Sequence, residues 1–287
     1  MAPGCGGGAP SDEAPARKPV AGAPLCHRLQ ARVTGHVSTP AATELSGLAS
    51  SHSRQGVLWT HNDSGDSARA FAVAPDGKLL GEFAVRGAEN LDWEDIATGP
   101  RDDLYIADIG DNVAARSDVV VYRVPEPSLS GEGPSETAAA ESLELRYPDH
   151  AHDAEALLVD PSSGALVIVT KNPAGSADVY LAGHPGAGAT TTLRRAGRVR
   201  LGNALAVTAG DVSGNGRTIV LRTYDRAFVW SRGRGQSLPS ALRRPACTAR
   251  ADLLSEGQGE ALALSRDGRA FYTVPEGRHP ALRRYEP

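Results

Sequence analysis

The stretch from Asn90 to Val124 reads NLDWEDIATGPRDDLYIADIGDNVAARSDVVVYRV and sets a pattern that recurs along the chain. Three segments rich in β-branched, aromatic and aliphatic residues (Trp93 to Thr98, Leu104 to Ala107, Val119 to Val124) are separated by Gly, Pro, Asp and Asn, which predicts three short strands. Acidic residues gather at the entry to the first strand (Asp92, Glu94, Asp95) and at the exit of the second (Asp108, Asp111, with Asn112). In an antiparallel meander these two places share one edge of the sheet, so both clusters face one rim.

The first-strand signature returns as ELSGLAS from Glu44, DWEDIAT from Asp92, DAEALLVD from Asp153, TAGDVSG from Thr208 and QGEALALS from Gln258, about 50 to 60 residues apart. Each copy is followed by a second strand (VLWTHNDSGD, LYIADIGDN, ALVIVTKNPAG, RTIVLRTYDR, RAFYTVPEG) and a third (RAFAVAP, VVVYRVP, DVYLAG, RAFVWSR, ALRRYEP). Repeats of this length built from short strands indicate an all-β propeller. Fourth, outer strands are read at LLGEFAVR, LELRYPD, TLRRAGRVRL and CTARADL; the fifth repeat has none before Pro287. The segment ARVTGHVS, Ala31 to Ser38, is an unattached strand that can supply it and so remove the open edge. The reading is therefore five four-stranded blades closed by pairing the two terminal strands. Six blades, or a β-sandwich with coincidental spacing, are the alternatives.

At 287 residues the chain can form one large β domain, taken as 26–287, behind a Gly/Ala/Pro-rich linker over 1–25. Lys and Arg (30) against Asp and Glu (34) leave a net charge of −4, which offers no basic field for nucleic acid. No run of 18 apolar residues predicts a membrane span. Cys5, in APGCGGG, resembles the end of a bacterial lipoprotein signal, although the apolar region such a signal needs is missing. It is read either as a lipid-anchor site behind a recorded start that lies downstream of the true one, or as a linker thiol. Cys26 and Cys247 lie about 220 residues apart, each at the start of a candidate strand. They could sit apart as unpaired thiols; ring closure would instead place them on the outer strands of adjacent blades, where a disulfide can form in an oxidising compartment and stabilise by about 4 to 5 kcal/mol.

Aligning the five entries pairs Glu44 with Ser46, Asp92 with Glu94, Asp153 with Glu155, Thr208 with Gly210, and Gln258 with Glu260. Residues two apart on a strand share a face, so carboxylates from several blades converge on one channel mouth. Hard oxygen ligands at Glu44, Asp92, Glu94, Asp153, Glu155 and Glu260 would suit Ca2+ or Mg2+. The alternative is that these acids cap loop amides and tie blades together. Second-strand exits add Asp108, Asp111, Lys171, Arg222 and Glu276 as candidate ligand contacts. Lys171 and Arg222, cations among acids, could grip a phosphate or carboxylate, or could belong to internal ion pairs. His61, Asp63 and His152 are the candidate catalytic groups near the rim. No GxSxG elbow is present and the histidines are scattered, so no Ser-His-Asp triad can be claimed.

With ELSGLAS, VLWTHNDSGD, NLDWEDIA, LYIADIGDN, HDAEALLVD and QGEALALSRDGRAFYTVPEG read together, the chain resembles a family of actinobacterial extracytoplasmic propellers, many of them lipoproteins. It is also similar to the broader phytase-like propeller group with esterase-like activity. The narrower resemblance implies a propeller that is secreted or lipid-anchored at the cell surface, and a monomer is expected. The broader one implies a divalent-metal-assisted hydrolase of phosphate or other esters. In it, Asp92, Glu94, Asp153, Glu155 and Glu260 would hold the cation while Lys171 and Arg222 fix a small anionic substrate. A non-catalytic propeller that captures a ligand or an envelope partner is the other reading, since fold alone does not decide function.

Overall fold

The computed structural model describes residues 24–129, 135–173 and 175–287; Cys5 and nearly all of the linker lie outside them. Strand β1 (Gln30–His36) precedes the first blade, which comprises β2 (Leu45–Ser50), β3 (Leu58–Asn62), β4 (Arg69–Val73) and β5 (Leu79–Ala84). The second blade holds β6 (Trp93–Thr98), β7 (Asp103–Asp108), β8 (Val119–Pro125), a two-residue β9 (Ser135–Glu136) and β10 (Glu141–Arg146). The third holds β11 (Ala154–Val159), β12 (Leu166–Thr170), β13 (Ser176–Gly183), a two-residue β14 (Thr191–Thr192) and β15 (Arg194–Arg200). The fourth is β16 (Val207–Val212), β17 (Thr218–Thr223), β18 (Ala227–Ser231), a short helix α1 (Leu238–Leu242) and β19 (Cys247–Ala249). The fifth is β20 (Ala261–Leu264), β21 (Phe271–Val274) and β22 (Ala281–Glu286), with β1 as its outer strand.

The five inner strands β2, β6, β11, β16 and β20 touch in a closed ring. β1 pairs antiparallel with β22, Gln30 opposite Glu286, so the first and last described strands complete one sheet and the six-blade alternative falls away. Five apolar cores each fill the wedge between neighbouring blades, as with Trp59, Phe83, Trp93 and Ile106 between the first and second. Because inner strands face a blade on either side, β6, β11 and β16 are buried at every residue, and alternation of polar and apolar residues is lost there. The blades are not all four-stranded. β9 pairs in parallel with β5 of the preceding blade, and β14 likewise with β10, so two sheets carry a fifth strand lent by the next blade.

Cys26 and Cys247 form a disulfide, with Cα atoms 5.6 Å apart, beside the seam where the ring closes. Cys26 lies in a short 3-10 turn (Pro24–Cys26) ahead of β1 rather than at a strand start, whereas Cys247 begins β19. Among the described residues no helix is long and apolar enough to cross a membrane.

Candidate functional site: an acidic channel mouth

Inner strands enter the ring at one face, and the acids of their first turns meet there. Asp92 and Glu94 come from the second blade, Asp153 and Glu155 from the third, and Glu260 from the fifth. Three overlapping groups, Glu94/Asp153/Glu155, Asp63/Asp92/Glu94 and Asp63/Glu260/Glu276, each bring one carboxylate oxygen per residue within 4.8 Å of the others. Gly110 leaves them room: a Cβ there would stand 2.2 Å from Glu94 Oε1 and 2.5 Å from Asp92 Oδ2. Glu94, Glu155 and Glu260 are buried, at 2%, 1% and 5% exposure, while Asp63, Asp92, Asp153 and Glu276 are half-buried.

Asp63, Lys171 and Tyr224 reach the mouth from equivalent positions, each the residue directly after a second strand ends. Lys171 Nζ donates to Glu155 Oε1, and the Tyr224 hydroxyl donates to Glu260 Oε1 at 2.6 Å. The other oxygen of Glu155, Oε2, is buried without a hydrogen-bond partner.

Crowded carboxylates resist ionisation. Burial, then the charges of Glu155, Asp63 and Asp92, push Glu94 well above the usual range. Burial raises Glu155 to about 8 although Lys171 pulls the other way. Burial lifts Asp63 to about 6, with Asp92, Glu260 and Glu44 adding to it. Burial and the adjacent Glu260 carry Glu276 to about 8.

Below the mouth the channel is crossed by side chains. Asp95, fully buried, accepts the Leu157 N–H at 2.9 Å and the Gly210 N–H at 3.3 Å, so it ties the second blade to the third and fourth. Asp211 does the same between the fourth and fifth by accepting the Leu264 N–H at 2.7 Å. Where the repeat lacks an acid, the tie is a hydroxyl: Ser46 donates to the Glu94 carbonyl at 2.7 Å and Thr208 to the Gly259 carbonyl at 3.1 Å. The acidic signature thus divides into ligand-type groups at the mouth and blade-to-blade ties beneath it.

Several expected site residues stand elsewhere. Arg222 is no anion grip: it is 0% exposed, its Nη2 donating to Glu256 Oε2 at 2.8 Å and its Nη1 to the Ala261 carbonyl at 3.1 Å. Lys171 is at the mouth but is occupied by Glu155. Asp108 is buried, accepts the Leu91 N–H and pairs with Arg116 at 2.7 Å. Asp111 accepts the Ala115 and Arg116 N–H groups and gives its own N–H to Asp153 Oδ1 at 2.9 Å, so it positions a mouth residue rather than contacting a ligand. Glu44 is exposed and belongs to none of the three-donor groups.

Neither histidine sits where catalysis at the mouth would need it. His61 is fully buried against the edge of Trp93, its Nδ1 2.9 Å from the Asn62 carbonyl, and burial lowers it to about 4, so it is neutral and closed off from a substrate. His152 lies apart from the acids, with Asp149, His150 and Tyr180. A cavity of about 720 Å3 opens on the opposite face, among the turns carrying Ser50, Arg54, Gly214 and Arg266, and contains none of the mouth residues.

The sequence places Asp95 with the rim acids and gives Tyr224 and Asp211 no role of their own. Asp95 and Asp211 each follow an aligned entry position by one residue, and Tyr224 shares the register of Lys171.

Neither family models nor curated proteins match the sequence. Among solved structures, the PQQ-bound aldose sugar dehydrogenase of Streptomyces coelicolor aligns with TM-score 0.49 at 13% identity, over 90% of this chain and 98% of that one. A gluconolactonase of Xanthomonas campestris gives 0.46 at 13%, over 90% and 89%. A glucose dehydrogenase gives 0.48 at 10%, over 89% and 99%. The class defined by the chain's own strand order is a five-bladed β-propeller. At such identities the chemistry of its site rests on its own residues.

Proposed function

We propose that the acidic mouth binds a hard divalent cation, Ca2+ or Mg2+, and that this extracytoplasmic propeller uses it to hydrolyse a phosphate or other ester. The observation that carries the reading is Glu155, grouped with Glu94 and Asp153 and buried, with one oxygen on Lys171 and the other unpartnered. A buried carboxylate oxygen without a donor is costly unless a cation meets it, and an all-carboxylate donor set suits hard ions.

Glu94, Asp153 and Glu155 would hold the ion, with Asp153 fixed by the Asp111 N–H. A dication there supplies Lewis-acid polarisation of a substrate oxygen and a bound water of lowered pKa. Asp63, Glu260 and Glu276 form the other side of the mouth, the Tyr224 hydroxyl orienting Glu260, and there they face whatever enters. The disulfide suits an oxidising compartment, and a lipid anchor at Cys5 would hold the protein to the cell surface.

Lys171 and Arg222 are both paired to acids, and this favours a second reading in which the same ion captures a ligand or envelope partner without turnover. Hydrolysis of p-nitrophenyl phosphate and p-nitrophenyl acetate, measured in Ca2+ and in EDTA beside calorimetric Ca2+ and Mg2+ titrations, separates the two. Turnover that requires Ca2+ and vanishes in Glu155→Gln supports the hydrolase. Ca2+ binding without turnover selects the second reading, and binding of neither Ca2+ nor Mg2+ removes both.

A further inference from the structure

The segment that leads from β10 into β11 carries Asp149, His150 and His152, and one donor atom from each lies within 4.8 Å of the others. His150 and His152 are two apart in an irregular stretch, their rings 4.1 Å between centroids, so both imidazoles stand on one side of the chain. His152 Nε2 is 3.0 Å from Asp149 Oδ1 and 2.7 Å from the Tyr180 hydroxyl. Donors around a tetrahedral ion with bonds near 2.0 to 2.1 Å stand about 3.3 Å apart, so Nε2 and Oδ1 need only a small expansion to share one.

The surroundings hold these donors in place. The His152 ring packs against Tyr147 and Tyr180, at centroid distances of 4.9 and 5.0 Å, and the two tyrosines pack on each other at 4.9 Å. Tyr180, itself 0% exposed, donates to the second oxygen of Asp149 at 2.8 Å. A carboxylate oriented by a hydrogen bond on its far oxygen is a common support for a metal ligand. Accessibility is graded across the trio: the His152 side chain is 12% exposed, Asp149 36% and His150 73%. An ion can therefore enter from the His150 side, with water completing its shell. Asp178, the nearest other acid on β13, is taken up by Arg195 and Arg198 and is not a competing ligand.

We propose that Asp149, His150 and His152 form a second metal site, for an imidazole-preferring transition dication of the Zn2+ type, chemically distinct from the all-carboxylate mouth. Two imidazoles disfavour Ca2+ and Mg2+ and suit Zn2+, Ni2+ or Cu2+. The site does not depend on any function of the mouth.

The test is equilibrium dialysis of chelator-stripped full-length protein against Zn2+ with millimolar Ca2+ present to saturate the mouth. Wild-type protein should retain one Zn2+ per chain, and His150→Ala, an exposed and structurally mild change, should weaken retention by at least about tenfold. Tyr180→Phe should weaken it about tenfold by freeing Asp149 while keeping the ring. With Cu2+ as a spectroscopic probe, the nitrogen hyperfine pattern should change from two imidazoles to one in His150→Ala. No retained Zn2+, unchanged retention in His150→Ala, or loss in Glu155→Gln instead would each overturn the proposal.

Discussion

Replacing Arg222 by methionine tests whether the seam between the fourth and fifth blades is held by one buried ion pair. The guanidinium is wholly buried and crosses from β17 to donate to Glu256 Oε2 at 2.8 Å and to the Ala261 carbonyl at 3.1 Å. Glu256 Oε1 also accepts the Thr273 and Tyr285 hydroxyls, each at 2.7 Å. Arg222→Met would leave a fully buried carboxylate with two hydroxyl donors and no counter-charge, which should cost about 3 to 5 kcal/mol. For a domain of this size that is a fall in melting temperature of roughly 6 to 20 °C. Pairing it with Glu256→Gln should restore most of the loss, because a neutral amide needs no cation.

Gly259 gives an internal control: a Cβ there would lie 1.6 Å from Arg222 Nη2. Gly259→Ala should therefore destabilise the wild type strongly and the Arg222→Met variant much less. Urea denaturation of the four combinations of Arg222→Met and Glu256→Gln gives the coupling energy, and the Gly259→Ala pair is measured alongside. A single-mutant loss below about 1 kcal/mol, or losses that simply add, would refute the account.

Chelation at pH 7 should lower the melting temperature and saturating Ca2+ restore it, by about 2.7 kcal/mol at a hundredfold excess over the dissociation constant; Glu155→Gln should blunt the response in differential scanning calorimetry. Reducing the Cys26–Cys247 bond, which spans 221 residues, should remove about 5 kcal/mol in the chain-entropy account, read by denaturation with and without reductant. Burial raises Asp211 from its usual value to about 7, so its contribution to stability is complete below about pH 4 and falls as pH rises through about 7; Asp211→Asn should flatten that slope in urea titrations at pH 4.5, 6 and 7.5. Asp95→Ala strands the Ile96, Leu157 and Gly210 N–H groups and should cost about 1 to 3 kcal/mol for each one left unpaired, measured by the same titrations.

The five copies, the closing strand and the disulfide were legible because each rests on a local signal repeated at one spacing, or on a rare residue. The straps β9 and β14 were not, since two-residue strands carry no pattern of their own and form only because a neighbour's edge is near. At the site, the aligned acids Asp92, Glu94, Asp153, Glu155 and Glu260 led to one mouth, but register alone could not say which partner each would find. Arg222 and Lys171 look alike in sequence. One is turned into the seam by Glu256, 34 residues further on, and the other toward the channel by Glu155, on the paired strand of its own blade. Asp95 escaped notice as a tie because its partners belong to two other blades.

The pairing of β1 with β22 also orders events in time. Strand β1 waits for strand β22, because Gln30 has no strand partner until Glu286 has left the ribosome. Until then the fifth sheet is open on one side, and earlier blades can form their wedges while the circle stays unlatched. Loss of even the last strand would leave β1 without its ladder. Conversely, since Gln30 already lies opposite Glu286, a short peptide joining these two strand ends would let the circle be opened at another hairpin and stay intact.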